Sequence, residues 1–184
     1  MSLPNYLERL IAMQMHGLGV GKAKSIRFNS DVATWIWDRI DSIFARAKVP
    51  SSVLRFKVLD VNHAAKNLQK GIKSLGEQIG DILTFPSLHT KLRDDHWIEV
   101  ANALETTLEL SSNHSGLDRG EVLRVVRYIR QHGEAGYLDY PKYSLMWLPL
   151  GSGSIDSAIR CIISLRMKSS GTFWRVPKAE RFLC

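Results

Sequence analysis

Two short β-forming segments, each followed by a helical pattern, constrain the fold of this chain more than any other feature. The first is Ser25-Ile26-Arg27-Phe28, after which Asp31 begins a stretch with apolar residues at helical spacing. The second runs from Val53 to Leu59 and ends at Asp60, and His63 opens the next helix. The order strand, helix, strand, helix predicts a parallel pair of strands joined by a right-handed crossover. The expected fold class is therefore α/β.

The segment from Gly76 to about Arg130 is helical in pattern throughout, so we expect a mostly helical protein. The apolar stripe of one helix consists of Trp97, Val100, Leu104 and Leu108. The expected inward side of the helix from Glu121 to Gln131 consists of Leu123, Val126 and Ile129. Another side of that helix carries Arg124, Arg127 and Arg130. A row of this kind is more often a solvated face than a binding groove.

Tyrosines cluster close to that arginine row, at Tyr128, Tyr137, Tyr140 and Tyr143. Stacking on nucleic-acid bases is one interpretation of such aromatics. Packing of a loop around Pro141 against the core is the more common arrangement, and we expect it here.

Asp31 and Asp60 both come just beyond a strand. Functional groups in parallel sheets collect at the carboxyl ends of the strands, so these two aspartates are candidate site residues. Asp31 could equally be a helix cap, and Asp60 a cap at the end of its strand. His63, taken alone, is more typical of a hydrogen-bonded core histidine than of a ligand or a base.

A glycine turn, Gly151-Ser152-Gly153, leads directly into a helix that carries Asp156 and Arg160 on one face. The exposed backbone N–H groups of such a turn and the positive end of the helix dipole favour anionic groups. The helix would thus place a carboxylate that can bind a metal beside a guanidinium that can bind a phosphate. In the alternative interpretation, Ser152 or Ser154 is an ordinary N-cap and Asp156 complements the helix dipole.

Charge is concentrated near the C-terminus of the chain. With 184 residues, of which 45% are hydrophobic, the chain is long enough for one domain, or one domain with an insertion. Its net charge of +7 favours an anionic partner. After Ser157 there are six cations against Glu180 alone, which makes nucleic acid the expected partner. The expected contacts to its phosphates are Arg160, Arg166, Lys168, Arg175 and Lys178.

Several classes of protein are disfavoured by composition. Cys161 and Cys184 are too few for a disulfide framework or a thiolate zinc site. No apolar run approaches the ~20 residues that span a bilayer, and Met1 to Asn5 lacks the order of a signal peptide. We therefore expect a cytoplasmic protein without a membrane segment.

Three segments in fixed order carry a family resemblance. The first is Asp31 before Trp35-Ile36-Trp37, and the second is Val58 to Leu68 with Asp60 and His63. The third is the Gly-Ser-Gly helix with Arg166-Met167-Lys168 and Gly171-Thr172-Phe173-Trp174. This order resembles the C-terminal half of bacterial insertion-sequence transposases with an RNase H-like DDE domain of the Asp-x-x-His type. The resemblance covers most of Gly17 to Cys184. It implies a partial RNase H-like core at residues 1–75 and 145–184, with a short parallel β pair, and an all-helical insertion at residues 76–144.

The resemblance also implies roles for individual residues. The candidate catalytic set is Asp31, Asp60, His63 and Asp156. Asp31 matches the second metal-binding carboxylate, and Asp156 stands where the final glutamate is expected. Asp60 and His63 match the pair that helps to shape the site and the DNA end. If the site is active, Asp31 and Asp156 would bind Mg²⁺.

Four departures from the family pattern affect this interpretation. No strand precedes Ser25 that could carry the first catalytic aspartate, and Val32 replaces the glycine that follows the second. Asp156 replaces a glutamate, and the chain ends at Cys184 where relatives continue. Strand transfer by two metal ions ~4 Å apart needs a complete carboxylate set. We therefore expect a truncated or domesticated transposase that binds DNA and is catalytically inactive or incomplete.

Two alternatives stay open. The chain could be an active Mg²⁺-dependent strand-transfer subunit whose missing carboxylate comes from another chain. It could instead be a protein-interaction module, such as an inhibitor of a nucleic-acid-binding complex. Two short strands leave sheet edges that helices or another chain must cover, so a homodimer or a larger complex is compatible with each of these functions.

Overall fold

The computed structural model describes residues 3–30, 37–76, 83–111 and 116–153, together with Ser157. The chain divides into two compact units, Met1–Leu150 and Gly151–Cys184, and the elements named below belong to the first unit. Its α-helices are α1 (Leu3–Gly17), α2 (Ile40–Arg46), α3 (Val61–Lys73), α4 (Phe85–Arg93), α5 (Trp97–Leu110), α6 (Arg119–Glu134) and α7 (Tyr140–Leu145). A 3₁₀ turn, Val20–Lys22, precedes strand β1 (Ser25–Ser30), and strand β2 is Leu54–Leu59. The predicted limits of the helical insertion, residues 76–144, stay a prediction.

The parallel strand pair expected from the sequence is present. β1 and β2 are hydrogen bonded in parallel, with Ser25 opposite Leu54 and Ser30 opposite Leu59. β1 extends two residues beyond the predicted Phe28, and β2 begins one residue after the predicted Val53. The structure is thus mostly helical with a short parallel sheet, which confirms the α/β class.

One face of the sheet packs against the first two helices. Ile26 and Phe28 contact a buried group that we call the N-terminal cluster. Its members are Ala12, Ile40, Ile43, Phe44, Ala47, Val49 and Val53. The guanidinium of Arg55 lies 4.9 Å from the centre of the Phe44 ring, so β2 also covers this cluster.

The opposite face of the sheet packs against the remaining helices. Val58 is fully buried there in a second group, the helical cluster, which includes residues of α3 to α7 and also Leu59, the last residue of β2. Close approach of helices depends on two glycines within it. A Cβ atom on Gly71 of α3 would lie 2.9 Å from Val125 Cγ1 of α6, and one on Gly133 would overlap the Trp97 ring. The two clusters cover both faces of the sheet with helices.

One expectation for α6 was wrong. Leu123, expected to face inward, is 37% exposed. The buried residues of this helix follow i, i+3, i+4 and i+7 spacing from a start at Val122: Val122, Val125, Val126 and Ile129. Leu123 lies about 100° away from that stripe, because one residue turns an α-helix by that angle.

The arginine row of α6 is at the surface. Arg124 pairs with Glu121 through two short contacts, and Arg130 lies 2.5 Å from a carboxylate oxygen of Glu105. Arg127 is exposed.

Over the part of the chain that the structure describes, none of the helices has the length and apolar character needed to cross a membrane.

Candidate functional site

The structure describes two of the predicted catalytic residues, Asp60 and His63. Asp31 and Asp156 lie outside the described residues, and so do the predicted phosphate contacts Arg160, Arg166, Lys168, Arg175 and Lys178. The described part of the candidate site is therefore the region around Asp60, at the carboxyl end of β2.

Asp60 is the N-cap of α3. Its Oδ1 atom accepts hydrogen bonds from the backbone N–H of Asn62 at 2.8 Å and of His63 at 3.0 Å. The same oxygen lies 3.3 Å from His63 Nδ1. The Asp60 side chain is 1% exposed, whereas that of His63 is 35% exposed. Asp60 thus caps the start of α3, whereas the sequence suggested a cap at the end of its strand, and the cap holds the histidine beside the carboxylate.

Charge from the neighbouring strand reaches Asp60. Arg27 lies on β1, opposite Phe56 of β2. Burial lowers the pKa of Arg27, and the negative charge of Asp60 opposes that shift. This guanidinium therefore contributes positive charge to the surroundings of the buried carboxylate.

Buried polar atoms without a hydrogen-bond partner among the described residues lie on the face of β1 that carries Arg27. Arg27 and Asn29 alternate with Ile26 and Phe28, so they project from the opposite face of the strand. Arg27 Nη1 and both polar atoms of the Asn29 amide are buried, and no hydrogen-bond partner is found for them among the described residues. Buried polar atoms without a protein partner are uncommon in folded proteins. They mark this face of β1 as a polar region inside the fold.

Aromatic rings connect the sheet to the end of α6. The rings of Trp37 and Tyr137 stack at 4.7 Å with an angle of 9° between their planes, and Phe28 contacts Trp37 edge-on at 5.7 Å. The Tyr137 carbonyl accepts a hydrogen bond from the N–H of Leu59 at 3.0 Å. The loop after α6 is thereby held at the carboxyl end of β2, next to Asp60.

His132 is a further titratable group on this side of the fold. Its ring lies 4.6 Å from the ring of Tyr128, and burial lowers its pKa. The backbone N–H of Tyr137 donates to the His132 carbonyl at 3.0 Å. His132 therefore stays neutral near pH 7 and belongs to the packed interior.

The tyrosines pack inside the protein, as the sequence suggested. Tyr128, Tyr140 and Tyr143 are all buried. Burial raises the pKa of Tyr143 to about 12, and burial, aided by the charges of Tyr128 and Asp60, raises that of Tyr140 further. Rings in these positions fill the core, so they are not available to stack on nucleic-acid bases.

Sequence reasoning missed Arg27, which is affected by the charge of Asp60, and also Asn29, Trp37 and His132. A signal for two of them was present, because Ile26 and Phe28 alternate with Arg27 and Asn29. That alternation places an arginine and an amide on one strand face. His132 continues the buried stripe of α6, since it comes three residues after Ile129 and seven after Val125.

The described residues provide part of what metal-dependent chemistry would require. Among them, no group of three or more His, Cys, Asp or Glu side chains is arranged to bind a metal ion. Asp60 and His63 form one carboxylate–imidazole pair, whereas the predicted Mg²⁺ ligands Asp31 and Asp156 lie outside the described ranges. Binding of Mg²⁺ stays a prediction from the resemblance.

Comparison of the chain with protein-family models, with curated proteins and with solved structures finds no match. The inference of function therefore depends on the geometry around Asp60 and on the distribution of charge.

Proposed function

We propose that this chain is a transposase-derived nucleic-acid-binding protein with a partial RNase H-like fold, whose DDE-type site is inactive or incomplete. The observation that carries the proposal is the position of the Asp60–His63 pair. The pair lies at the carboxyl end of a parallel strand, with Asp60 Oδ1 3.3 Å from His63 Nδ1. This is the place where the resemblance puts an Asp-x-x-His motif, and where parallel sheets collect functional groups.

The surroundings of Asp60 favour a positioning role over direct chemistry. Its carboxylate is almost fully buried, and Oδ1 already accepts two backbone hydrogen bonds as a helix cap. A metal-binding carboxylate in a strand-transfer site must face the nucleic acid together with other carboxylates. Asp60 is better placed to fix the start of α3 and the orientation of His63.

Nucleic acid is the proposed partner because of the charge. The net charge is +7, and the basic residues after Ser157 have a single acidic neighbour in sequence. Contacts from lysine and arginine to phosphates release counterions, so added salt weakens binding. When the logarithm of the binding constant is plotted against the logarithm of the salt concentration, it falls with a slope of ~0.9 for each phosphate contacted on duplex DNA. Such contacts position a protein on DNA without reading its sequence.

A binding and cleavage experiment tests the proposal. Purified protein is titrated against labelled double-stranded DNA across a salt series with Mg²⁺ present, and the products are separated on a denaturing gel. We expect salt-sensitive binding and intact DNA. Single-stranded DNA and double-stranded RNA of the same sequence show which nucleic acid is preferred.

Other outcomes would replace the proposal. Mg²⁺-dependent nicking that Asp31→Ala abolishes would establish an active strand-transfer subunit. Binding that barely changes between 50 and 200 mM salt, or no binding at all, would contradict a phosphate-binding function.

A protein-interaction function is the second candidate, and exposed apolar residues after α7 favour it. Leu145, Met146 and Trp147 are consecutive and exposed, with Trp147 at 93%. Contiguous exposed apolar residues often mark interaction sites. A stoichiometric protein complex without nucleic acid, weakened by Trp147→Ser, would support this candidate over the first.

A further inference from the structure

A shallow cavity of about 270 Å³ lies beside the last turns of α1 and α2. Its lining consists of Arg9, Ala12, Met13, His16, Arg46 and Lys48. Four of these six residues are basic, and the described lining contains no carboxylate. The two other residues, Ala12 and Met13, form an apolar floor between Arg9 and His16 on the same side of α1.

The one carboxylate of α1, on Glu8, is shared between Arg46 of this lining and Arg39 outside it, so it offsets only part of the charge. Glu8 is 5% exposed and faces α2, where Ser42 and Arg46 donate to its Oε1 atom and Arg39 donates to Oε2. Arg46 uses its Nε atom for this contact at 2.7 Å. Glu8 is thus shared among several donors inside the fold, and the cavity side keeps an excess of positive charge.

Helix dipoles reduce that charge without cancelling it. α1 and α2 both end near the cavity, and a helix C-terminus carries roughly half an elementary negative charge. Two such termini are weaker than the formal charges of Arg9, Arg46 and Lys48 together. The cavity is therefore a local positive site in a part of the chain far in sequence from the basic residues after Ser157.

Lys48 occupies a backbone position that favours glycine. Its φ angle is +56°, in the left-handed region, directly after the end of α2. The N–H of Lys48 donates to the Ala45 carbonyl at 3.1 Å, and the N–H of Val49 donates to that of Phe44 at 3.0 Å. Glycine is usual at this position of a helix terminus because it has no Cβ atom. A lysine here adds charge to the cavity where the backbone alone would favour glycine.

We propose that this cavity binds consecutive backbone phosphates of one nucleic-acid strand. Arg9 and His16 are separated by about 10 Å along α1, at the usual rise of 1.5 Å per residue. Phosphates of one strand are farther apart in space than their rise of about 3.4 Å along a duplex axis, so the cavity spans no more than about two of them. An open cavity lined by cations and two apolar side chains suits a strand lying across it. The inference rests on the proposed nucleic-acid binding and adds a second contact surface to it.

Paired variants of the full chain test this surface. The test variant combines Arg9→Gln with Lys48→Gly, and the control combines Lys73→Gln with Arg127→Gln, which are exposed cations on α3 and α6. Both variants lose the same net charge. Binding to labelled double-stranded DNA is measured between 50 and 200 mM salt. We expect the test variant to bind about tenfold or more weakly at 0.1 M salt, with a salt slope smaller by about two, while the control keeps the wild-type slope.

Folding of the variants is checked by thermal unfolding. Lys48→Gly removes a left-handed non-glycine residue, so its melting temperature should not fall below that of the wild type. Arg9→Gln with Lys48→Ala, which keeps the backbone strain, serves as the second variant and should show the same loss of binding. A binding loss that follows the melting temperature, and not the removal of charge, would overturn the inference.

The remaining outcomes separate this inference from the proposed function. Equal slopes for test and control variants, with DNA still bound, would overturn the cavity as a phosphate site and leave nucleic-acid binding intact. No DNA binding by the wild-type chain would overturn both. If the test variant bound DNA as the wild type does but no longer bound phosphatidylserine vesicles, the cavity would be assigned to lipid headgroups. That result would also overturn the inference.

Discussion

Glu8 on α1 accepts a hydrogen bond from Arg46 Nε on α2 at 2.7 Å, although 38 positions separate the two residues in sequence. Ser42 and Arg39 donate to the same carboxylate. Together these contacts join two helices that otherwise meet through apolar side chains of the N-terminal cluster, including the ring of Phe44. Removing one partner of such a buried, hydrogen-bonded carboxylate destabilises a fold, because a charge inside it is then left uncompensated.

Replacing this carboxylate should lower stability in a pH-dependent way. The hydrogen bond from Ser42, followed by those from Arg46 and Arg39, lowers the pKa of Glu8 from its ordinary value of 4.5. Its contribution is therefore present above about pH 4.5 and is lost as the pH falls towards the lower pKa of the folded state. Glu8→Gln should unfold at lower urea concentration than the wild type at pH 7, and the difference should shrink at pH 3. Glu109→Gln, on an exposed side of α5, is the control, and a difference that persists at pH 3 would contradict the explanation.

Substitutions of Asp60 should separate its capping role from its charge. Asp60→Ala removes the oxygen that accepts from the N–H groups of Asn62 and His63, so we expect a loss of about 1–2 kcal/mol in unfolding free energy. Asp60→Asn keeps an acceptor oxygen and should recover most of that loss. Urea unfolding at pH 7 measures both. An equal loss for Asn and Ala would show that the carboxylate charge beside Arg27, and not the cap, is what α3 requires.

Two glycines in α6 should respond oppositely to alanine. A Cβ atom on Gly133 would overlap the Trp97 ring, and relieving that overlap requires the indole to move within the core. Gly133→Ala should therefore cost about 1–3 kcal/mol. Gly120→Ala, near the start of the same helix, meets only Asp118 Oδ1 at 3.4 Å and should stabilise by up to about 1 kcal/mol, because alanine has the higher helix propensity. Chemical denaturation of both variants tests this, and equal effects would mean that α5 and α6 are farther apart than described.

The hydroxyl of Tyr143 should matter for stability at neutral and at high pH. It donates to the Gly136 carbonyl at 2.7 Å and lies 3.1 Å from the Lys57 carbonyl, so Tyr143→Phe should cost about 1 kcal/mol at pH 7. Burial raises its pKa from 10.0 to about 12, so the folded state favours the neutral phenol. This contribution is complete below pH 10 and is lost as the pH rises from 10 towards 12.

Thermal unfolding between pH 8 and 11.5 measures the effect. Above pH 10, Tyr143→Phe should lose less stability than the wild type. The loss that this variant still shows should come from Tyr140, whose pKa burial also raises. Tyr6→Phe, on an exposed ring of α1, should behave as the wild type. A pH dependence that Tyr143→Phe leaves unchanged would contradict the assignment.

Replacing Trp147 with glycine should stabilise the protein. It follows α7 with a φ angle of +57°, and its N–H donates to the Ser144 carbonyl at 3.0 Å. A bulky residue in the left-handed region costs on the order of 1 kcal/mol, and the exposed indole gains little from packing. Trp147→Gly should therefore raise the melting temperature. Trp147→Ala removes the ring but keeps the strain, so it should not raise it, and a rise for both would mean that the ring itself destabilises the chain.

Local patterns were sufficient to predict the strands and most helices. Ile26 and Phe28 alternate with polar residues, and Val53 to Leu59 is an apolar run between turn residues, so both strands were found within two residues of their ends. A capping role for Asp60 was also indicated, although at the end of its strand and not at the start of α3, where the structure has it. These features depend on neighbours in sequence.

Contacts between distant residues could not be predicted in this way. The stacking of Trp37 on Tyr137 and the burial of Glu8 against Arg46 join residues that no local pattern relates. On α6, Val126 and Ile129 face inward as expected, and only Leu123 was wrong, because an apolar residue beside the buried stripe is not distinguished from its members by local pattern.

The position of the sheet between two clusters has a consequence for how the first unit unfolds. Ile26 and Phe28 of β1 pack against the N-terminal cluster, whereas Val58 and Leu59 of β2 belong to the helical cluster. The six backbone pairs of the ladder connect these two groups. Neither half can open without breaking hydrogen bonds that the other half needs, so both should lose protection against amide hydrogen exchange at the same denaturant concentration.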